Sequence, residues 1–171
     1  AVICGAADAN VNQDTWPFGC GENAMRAAYV GAKSAIQGFA LTGGHCSDPT
    51  KNTIARQGGG VYLDSDAQVL DCIITNNIAC QGSALNGHGS AYNPVAVALR
   101  CLIADNYSVD GIKNEGTKEN QRGSGICRRT TLASCVFSKN WGQAFGAYER
   151  QYNYHCTLIG PGYNANTPTV F

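Results

Sequence analysis

From Gly58 to Asn77 the chain reads GGGVYLDSDAQVLDCIITNN: three glycines, the short β-prone run Val61-Tyr62-Leu63, the polar turn Asp64-Ser65-Asp66, a β-branched run from Val69 to Thr75, and an Asn pair. Strands this short cannot bury two faces alone, so they need copies of themselves stacked above and below. Copies are present. With Cys72 as column zero, GFALTGG aligns through Phe39, RCLIADN through Cys101, SCVFSKN through Cys135 and HCTLIGP through Cys156. Upstream, AAYVG, GVYLD, SAYNP, GICRR and GAYER set Tyr29, Tyr62, Tyr92, Cys127 and Tyr148 in a second column. The intervals are unequal, as expected of stacked repeats that carry inserted loops.

GGGVY…CIITNN resembles a coil of the right-handed parallel β-helix, the pectate-lyase-like superfamily. More narrowly, it is similar to the GGxxY…NCxIxxN repeats of large secreted and outer-membrane bacterial proteins, over Ala24 to Pro161. The resemblance implies an all-β fold: a right-handed parallel β-helix, or solenoid, of about five to six coils with loop insertions along one edge. It implies a single β-helix domain over 1–171, secreted or at the cell surface. Ala1 begins within a strand and no amphipathic helix precedes it, so the expectation is a segment of a longer β-helix or an end-to-end assembly with neighbouring copies. The superfamily hosts lyases, hydrolases, esterases, adhesins and stalks, so function must be argued from a site.

A chain of 171 residues can bury a sizeable core. Zero net charge with 14% charged residues argues against nucleic acid or an anionic membrane as the main partner, and no apolar run approaches membrane-spanning length. Nine cysteines are many. Cys72, Cys101, Cys135 and Cys156 share one inward column, where Cys acts as a small hydrophobe. Cys20, Cys46 and Cys80 lie outside the strands. Cys46 and Cys80 follow their turns at nearly the same offset, which places them one coil apart, so a Cys46–Cys80 disulfide is predicted. No CxxC or spaced Cys/His set exists, and His45-Cys46 is a poor metal signature, so no metal site is expected.

Period-two alternation assigns the faces. Column zero, column plus two (Leu41, Ile74, Ile103, Phe137, Leu158) and column minus three (Ile36, Val69, Ala98, Leu132) point inward. In the first strand, AVICGAA, Val2 is expected to match Phe39 and Cys4 to match Leu41. Column plus five, Asn77, Asn106 and Asn140, reads as an amide ladder at a tight turn, with Asn supplying the left-handed backbone. That reading turns Asn106 inward and removes it as the acceptor of the one sequon, Asn106-Tyr107-Ser108. Column minus one brings Asp71 beside Arg100 on the surface, as an ordinary ion pair rather than a lyase site. Column plus one (Ala40, Ile73, Leu102, Val136, Thr157) should leave an apolar outer stripe. The tyrosine column faces outward, either as a sheet-stabilising ring stack or as a platform for sugars.

Four insertions, Asp8–Asn23, His45–Gln57, Ile78–Gly87 and Tyr107–Gln121, are expected along one edge. Loops on a rigid scaffold carry function more often than strands do. The candidate ligand-binding residues are therefore Trp16, Phe18, Tyr107, Lys113, Arg122 and Trp141. Aromatic rings pack on sugar C–H faces while polar groups bond the hydroxyls, so the leading expectation is a binding, adhesion or scaffolding module for a polysaccharide or cell-surface glycan. One alternative is a polysaccharide lyase, which would use the charged stretch holding Asp110, Lys113, Glu115, Lys118, Glu119 and Arg122 and would need Ca²⁺; otherwise no cofactor is expected. The other is a stalk or filament subunit. No acid cluster of the kind β-helix hydrolases need is found, and no catalytic residue is assigned.

Overall fold

The computed structural model describes residues 1–15, 18–48, 54–90, 93–108, 125–141, 143–145 and 152–159. Among these, nearly all regular structure is strand; Ile54–Arg56 forms a short 3-10 turn. The chain is all-β and its three large sheets are parallel. The first sheet runs Ala28–Val30, Val61–Leu63, Leu85–Gly87, Gly125–Arg128, Gln143–Phe145. The second runs Ala35–Gln37, Gln68–Leu70, Ala96–Leu99, Thr130–Ala133, Asn153–Tyr154. The third runs Val2–Cys4, Ala40–Thr42, Ile73–Thr75, Leu102–Ala104, Val136–Ser138, Thr157–Ile159. Successive passes of the chain visit the sheets in that order, so each strand pairs with its counterpart one pass away.

The inward columns stack as their alternation requires. Leu41, Ile74, Ile103 and Phe137 align in register and are fully buried, as are Val69, Ala98 and Leu132. Each of these side chains other than Ala98 contributes about 2 kcal/mol of transfer free energy. Between the second and third sheets one left-handed residue bends the chain: Gly38, Asp71, Arg100, Ser134 or His155. The cysteine after the bend is more than a small hydrophobe. Sγ of Cys72, Cys101, Cys135 and Cys156 each donates to the carbonyl two residues back, at 3.2, 3.4, 3.4 and 3.6 Å. The bend also brings Arg100 onto Asp71 in a two-point contact, 2.6 and 2.7 Å, with Gln37 bonded to the same carboxylate.

The turn from the third sheet back to the first holds the amide ladder. Asn77 Nδ2 donates to Asn106 Oδ1 (2.9 Å), and Asn106 Nδ2 to Asn140 Oδ1 (3.0 Å). The same oxygens accept the backbone N–H of the previous rung, while the Nδ2 groups also donate to Leu41, Ile74 and Ile103 carbonyls. The left-handed residue is not the ladder Asn, however. It is the residue before: Gly43, Asn76, Asp105 or Lys139. The ladder side chains point inward from an ordinary backbone because the preceding residue absorbs the turn. In the first rung Gly44 replaces Asn, and a Cβ there would meet the Gly59 carbonyl oxygen at 1.9 Å.

Three further expectations are corrected. Val2 pairs with Ala40 and Ile3 with Leu41, one residue off the expected register, so Ile3 packs on the core and Val2 is 64% exposed. A slip of one exchanges the faces of a strand, and burial of Ile3 selects this register. Ile78–Gly87 is not an insertion. Ile78–Ala79 pairs with Tyr107–Ser108, and Leu85–Gly87 is the first-sheet strand. The loop comes after His88, at the turn into the second sheet, where Gly89–Ser90 and Asn93–Pro94 pair antiparallel. Leu-Asn-Gly is a poor strand sequence by propensity, but stacking on Val61–Leu63 outweighs that. The outward column is consequently Tyr29, Tyr62, Asn86 and Arg128, while Cys127 aligns with Leu85 and is fully buried. Tyr92 and Tyr148 lie outside the described residues. The outer apolar stripe is present, with Ile73 47% and Leu102 38% exposed.

Because Asn106 serves both neighbouring rungs, Asn106→Ala takes the acceptor from the buried Asn77 backbone N–H and from one Asn77 Nδ2 bond, and one donor from Asn140 Oδ1. The expected loss is about 3 kcal/mol in a denaturant melt. Intact mass of the chain produced in a glycosylating host should show no glycan at Asn106, since its amide is 0% exposed.

Candidate functional site

The residue after each ladder position begins a new column at the corner between the third and first sheets. His45 bridges Ile78, Ile78 pairs with Tyr107, and Tyr107 bridges Trp141. The rigid ladder beneath thus sets four side chains in a row. Tyr107 and Trp141 rings lie 6.3 Å apart at 45°, and Trp141 is 68% exposed. Phe18 reaches the same row from the Asp8–Asn23 loop, with its ring edge-on to Tyr107 at 5.3 Å and 72°. The structure therefore brings together three of the predicted ligand residues, Phe18, Tyr107 and Trp141. Trp16, Lys113 and Arg122 lie outside the described residues. His45 and Ile78 belong to the row but were not singled out from sequence; their shared offset of one from the ladder position was the available signal.

Phe18 is delivered by a pinned loop. Its own backbone is left-handed (φ 55°), followed by Gly19 (φ 76°). At the loop neck, the buried Asp8 carboxylate accepts from the backbone N–H groups of Asn10 (2.9 Å) and Asn23 (3.0 Å), and from Asn23 Nδ2 (3.3 Å). Those bonds, that from the Asn23 backbone foremost, hold the Asp8 carboxyl below its ordinary value.

Under the row sits a second small core of Cys20, Cys46, Ala79 and Cys80, with Phe18, Ile78 and Tyr107 packed against it. Cys46 and Cys80, the predicted disulfide partners, occupy adjacent passes as thiols with Sγ atoms 3.9 Å apart. Cys20 points its Sγ at the Ile78 carbonyl (3.8 Å). The Cys46 thiol is pushed up chiefly by its contact with Cys20. Burial pushes Tyr107 up and His45 down, and His45 Nδ1 lies 3.0 Å from the Gly43 carbonyl oxygen. Among the described residues no group of three or more His, Cys, Asp or Glu side chains is arranged to hold a metal, and no helix is long and apolar enough to cross a membrane. The row offers an aromatic and aliphatic face with an imidazole at one end, suited to binding a flat, weakly polar surface.

No protein-family model, curated protein or solved structure matches the chain.

The Asp8 pin carries a pH signature. Because its folded pKa lies below the ordinary 3.8, its stabilisation is fully present above that value and is lost as pH falls through the folded pKa. Hydrogen exchange at the Asn10 and Asn23 amides, corrected for intrinsic rate, should stay flat down to about pH 4 and rise below it. In Asp8→Asn the rise should disappear and protection should be lower throughout.

Proposed function

We propose that the chain is a right-handed parallel β-helix whose Phe18–Tyr107–Trp141 corner binds polysaccharide, within a secreted or cell-surface module for adhesion or scaffolding. The observation that carries this reading is the ring row itself. Its most exposed member, Trp141, stands on a corner that the amide ladder makes rigid. An exposed tryptophan on a rigid edge loses little conformational entropy when a ligand stacks on it. A row repeating from pass to pass suits a ligand that repeats as well, such as an extended glycan chain. Sugar C–H faces pack on such rings while the His45 imidazole supplies a polar contact at one end.

Glycan-array screening of the chain, followed by titration of the best oligosaccharide, tests the proposal. Trp141→Ala should weaken binding about tenfold, equivalent to about 1.4 kcal/mol. Its melting temperature should move by less than about 2 °C, since the ring is mostly exposed. Tyr107 also covers the thiol core, so Tyr107→Ala should lower stability as well and is the less clean variant. Binding unchanged in Trp141→Ala, or no glycan bound by the parent chain, overturns the proposal.

A further inference from the structure

The outer face of the first sheet carries a second cluster, with no residue in common with the corner. Tyr29 and Tyr62 are register partners on adjacent passes, and their rings stack at 5.6 Å and 9°. Tyr62 is the buried member, 3% exposed, with the Arg26 guanidinium over its ring at 5.2 Å. Tyr29 is 57% exposed, so the stack offers an aromatic surface backed by a fixed ring and a fixed cation.

Polar groups gather at its edge because the turn after the first-sheet strand repeats from pass to pass. Asp64 follows Val61–Leu63 and His88 follows Leu85–Gly87, which puts the two on neighbouring rungs. The Tyr29 hydroxyl donates to Asp64 Oδ2 (2.8 Å), and the Ser65 backbone N–H donates to Oδ1 (2.7 Å). His88 Nδ1 lies 3.4 Å from the Tyr62 hydroxyl and 3.8 Å from Asp64 Oδ1, with half of its side chain exposed. With Nδ1 engaged inside the cluster, Nε2 is the nitrogen available to a ligand. The Ser65 and Tyr29 bonds hold the Asp64 carboxyl below its ordinary value, so it stays an acceptor across the physiological range.

We infer that Tyr29, Asp64 and His88 form a second binding site, for a single neutral pyranose residue. The ligand class follows from charge and shape together. A cation is disfavoured by the Arg26 guanidinium, which already lies over the Tyr62 ring of the stack. An anion is disfavoured by Asp64 at the rim. What fits is an uncharged ring with one C–H face for Tyr29 and hydroxyls to donate to Asp64 and to bond Nε2 of His88. The choice of a saccharide leans on the polysaccharide reading of the corner, while the site itself stands on separate residues.

The two are separable by experiment. Maltose, cellobiose and lactose, with tetramethylammonium chloride as a cationic probe, are titrated into the full chain while the His88 and Tyr29 ring resonances are followed by NMR. At least one disaccharide should shift both residues saturably. Asp64→Asn and His88→Ala should each weaken that binding about tenfold, and Trp141→Ala should leave it unchanged. Asp64→Asn keeps an oxygen for the Ser65 N–H, so the turn is preserved; thermal melts of both variants should match the parent. The proposal is overturned if no disaccharide shifts these resonances, if the shifts survive unaltered in Asp64→Asn and His88→Ala, if tetramethylammonium alone saturates the site, or if Trp141→Ala abolishes the shifts. Disaccharide binding here with a blank glycan array would sink the corner and leave this site standing. Array binding lost in Trp141→Ala, with silent His88 and Tyr29 resonances, would do the reverse.

Discussion

Buried carboxamides close the turns at Asn77, Asn106 and Asn140, and the stacking of the chain depends on them. A backbone that turns inside the protein leaves N–H and C=O groups that neither water nor a neighbouring strand in the same plane can reach. The carboxamide provides two N–H donors and an oxygen that accepts twice, in a plane like that of a peptide group. It repeats along the stack because its neighbours are other copies of itself. The turn is then as regular as the sheets, and adjacent passes cannot slip without stranding several buried groups at once.

That regularity gives the corner its chemistry. A residue one step past a fixed amide has a fixed origin, so His45, Ile78, Tyr107 and Trp141 stand in a row although long stretches of chain separate them. The first- to second-sheet turn works likewise: equivalent positions on two passes bring a carboxylate to an imidazole. Stacked repeats thus convert sequence offset into spatial neighbourhood. The thiols beneath the row follow the same logic, with Cys46 and Cys80 meeting across passes while Cys20 arrives from the loop pinned by Asp8.

The inward columns were legible because repetition is visible without structure. Cys72, Cys101, Cys135 and Cys156, the Leu41-to-Phe137 column and the Asn ladder fall where alternation from a shared origin places them, and the Asp71–Arg100 pair follows from the same register. Alignment failed where a segment lacked the common residues. Leu85-Asn86-Gly87 carries no aromatic or β-branched mark, so the repeat pattern favours Ala91-Tyr92 as the strand and sets the loop one turn too early. The left-handed role given to the ladder Asn was off by one, because composition shows which residues turn but not which of two adjacent ones bears the positive φ.

The period, the inward faces and the identity of the ladder follow from the order of residues alone, since these arise from local alternation and from like residues recurring at like offsets. Tertiary structure decided the rest. Phe18 meets Tyr107 only because a loop with its own internal pin folds across several passes, and no offset encodes that path. Tyr62 is buried with Arg26 over its ring and Tyr29 stacked on it, and Asp64 finds His88 because the strand before His88 is the unmarked one. Such contacts depend on how loops of unequal length close in three dimensions, a property of the assembled stack rather than of any one repeat.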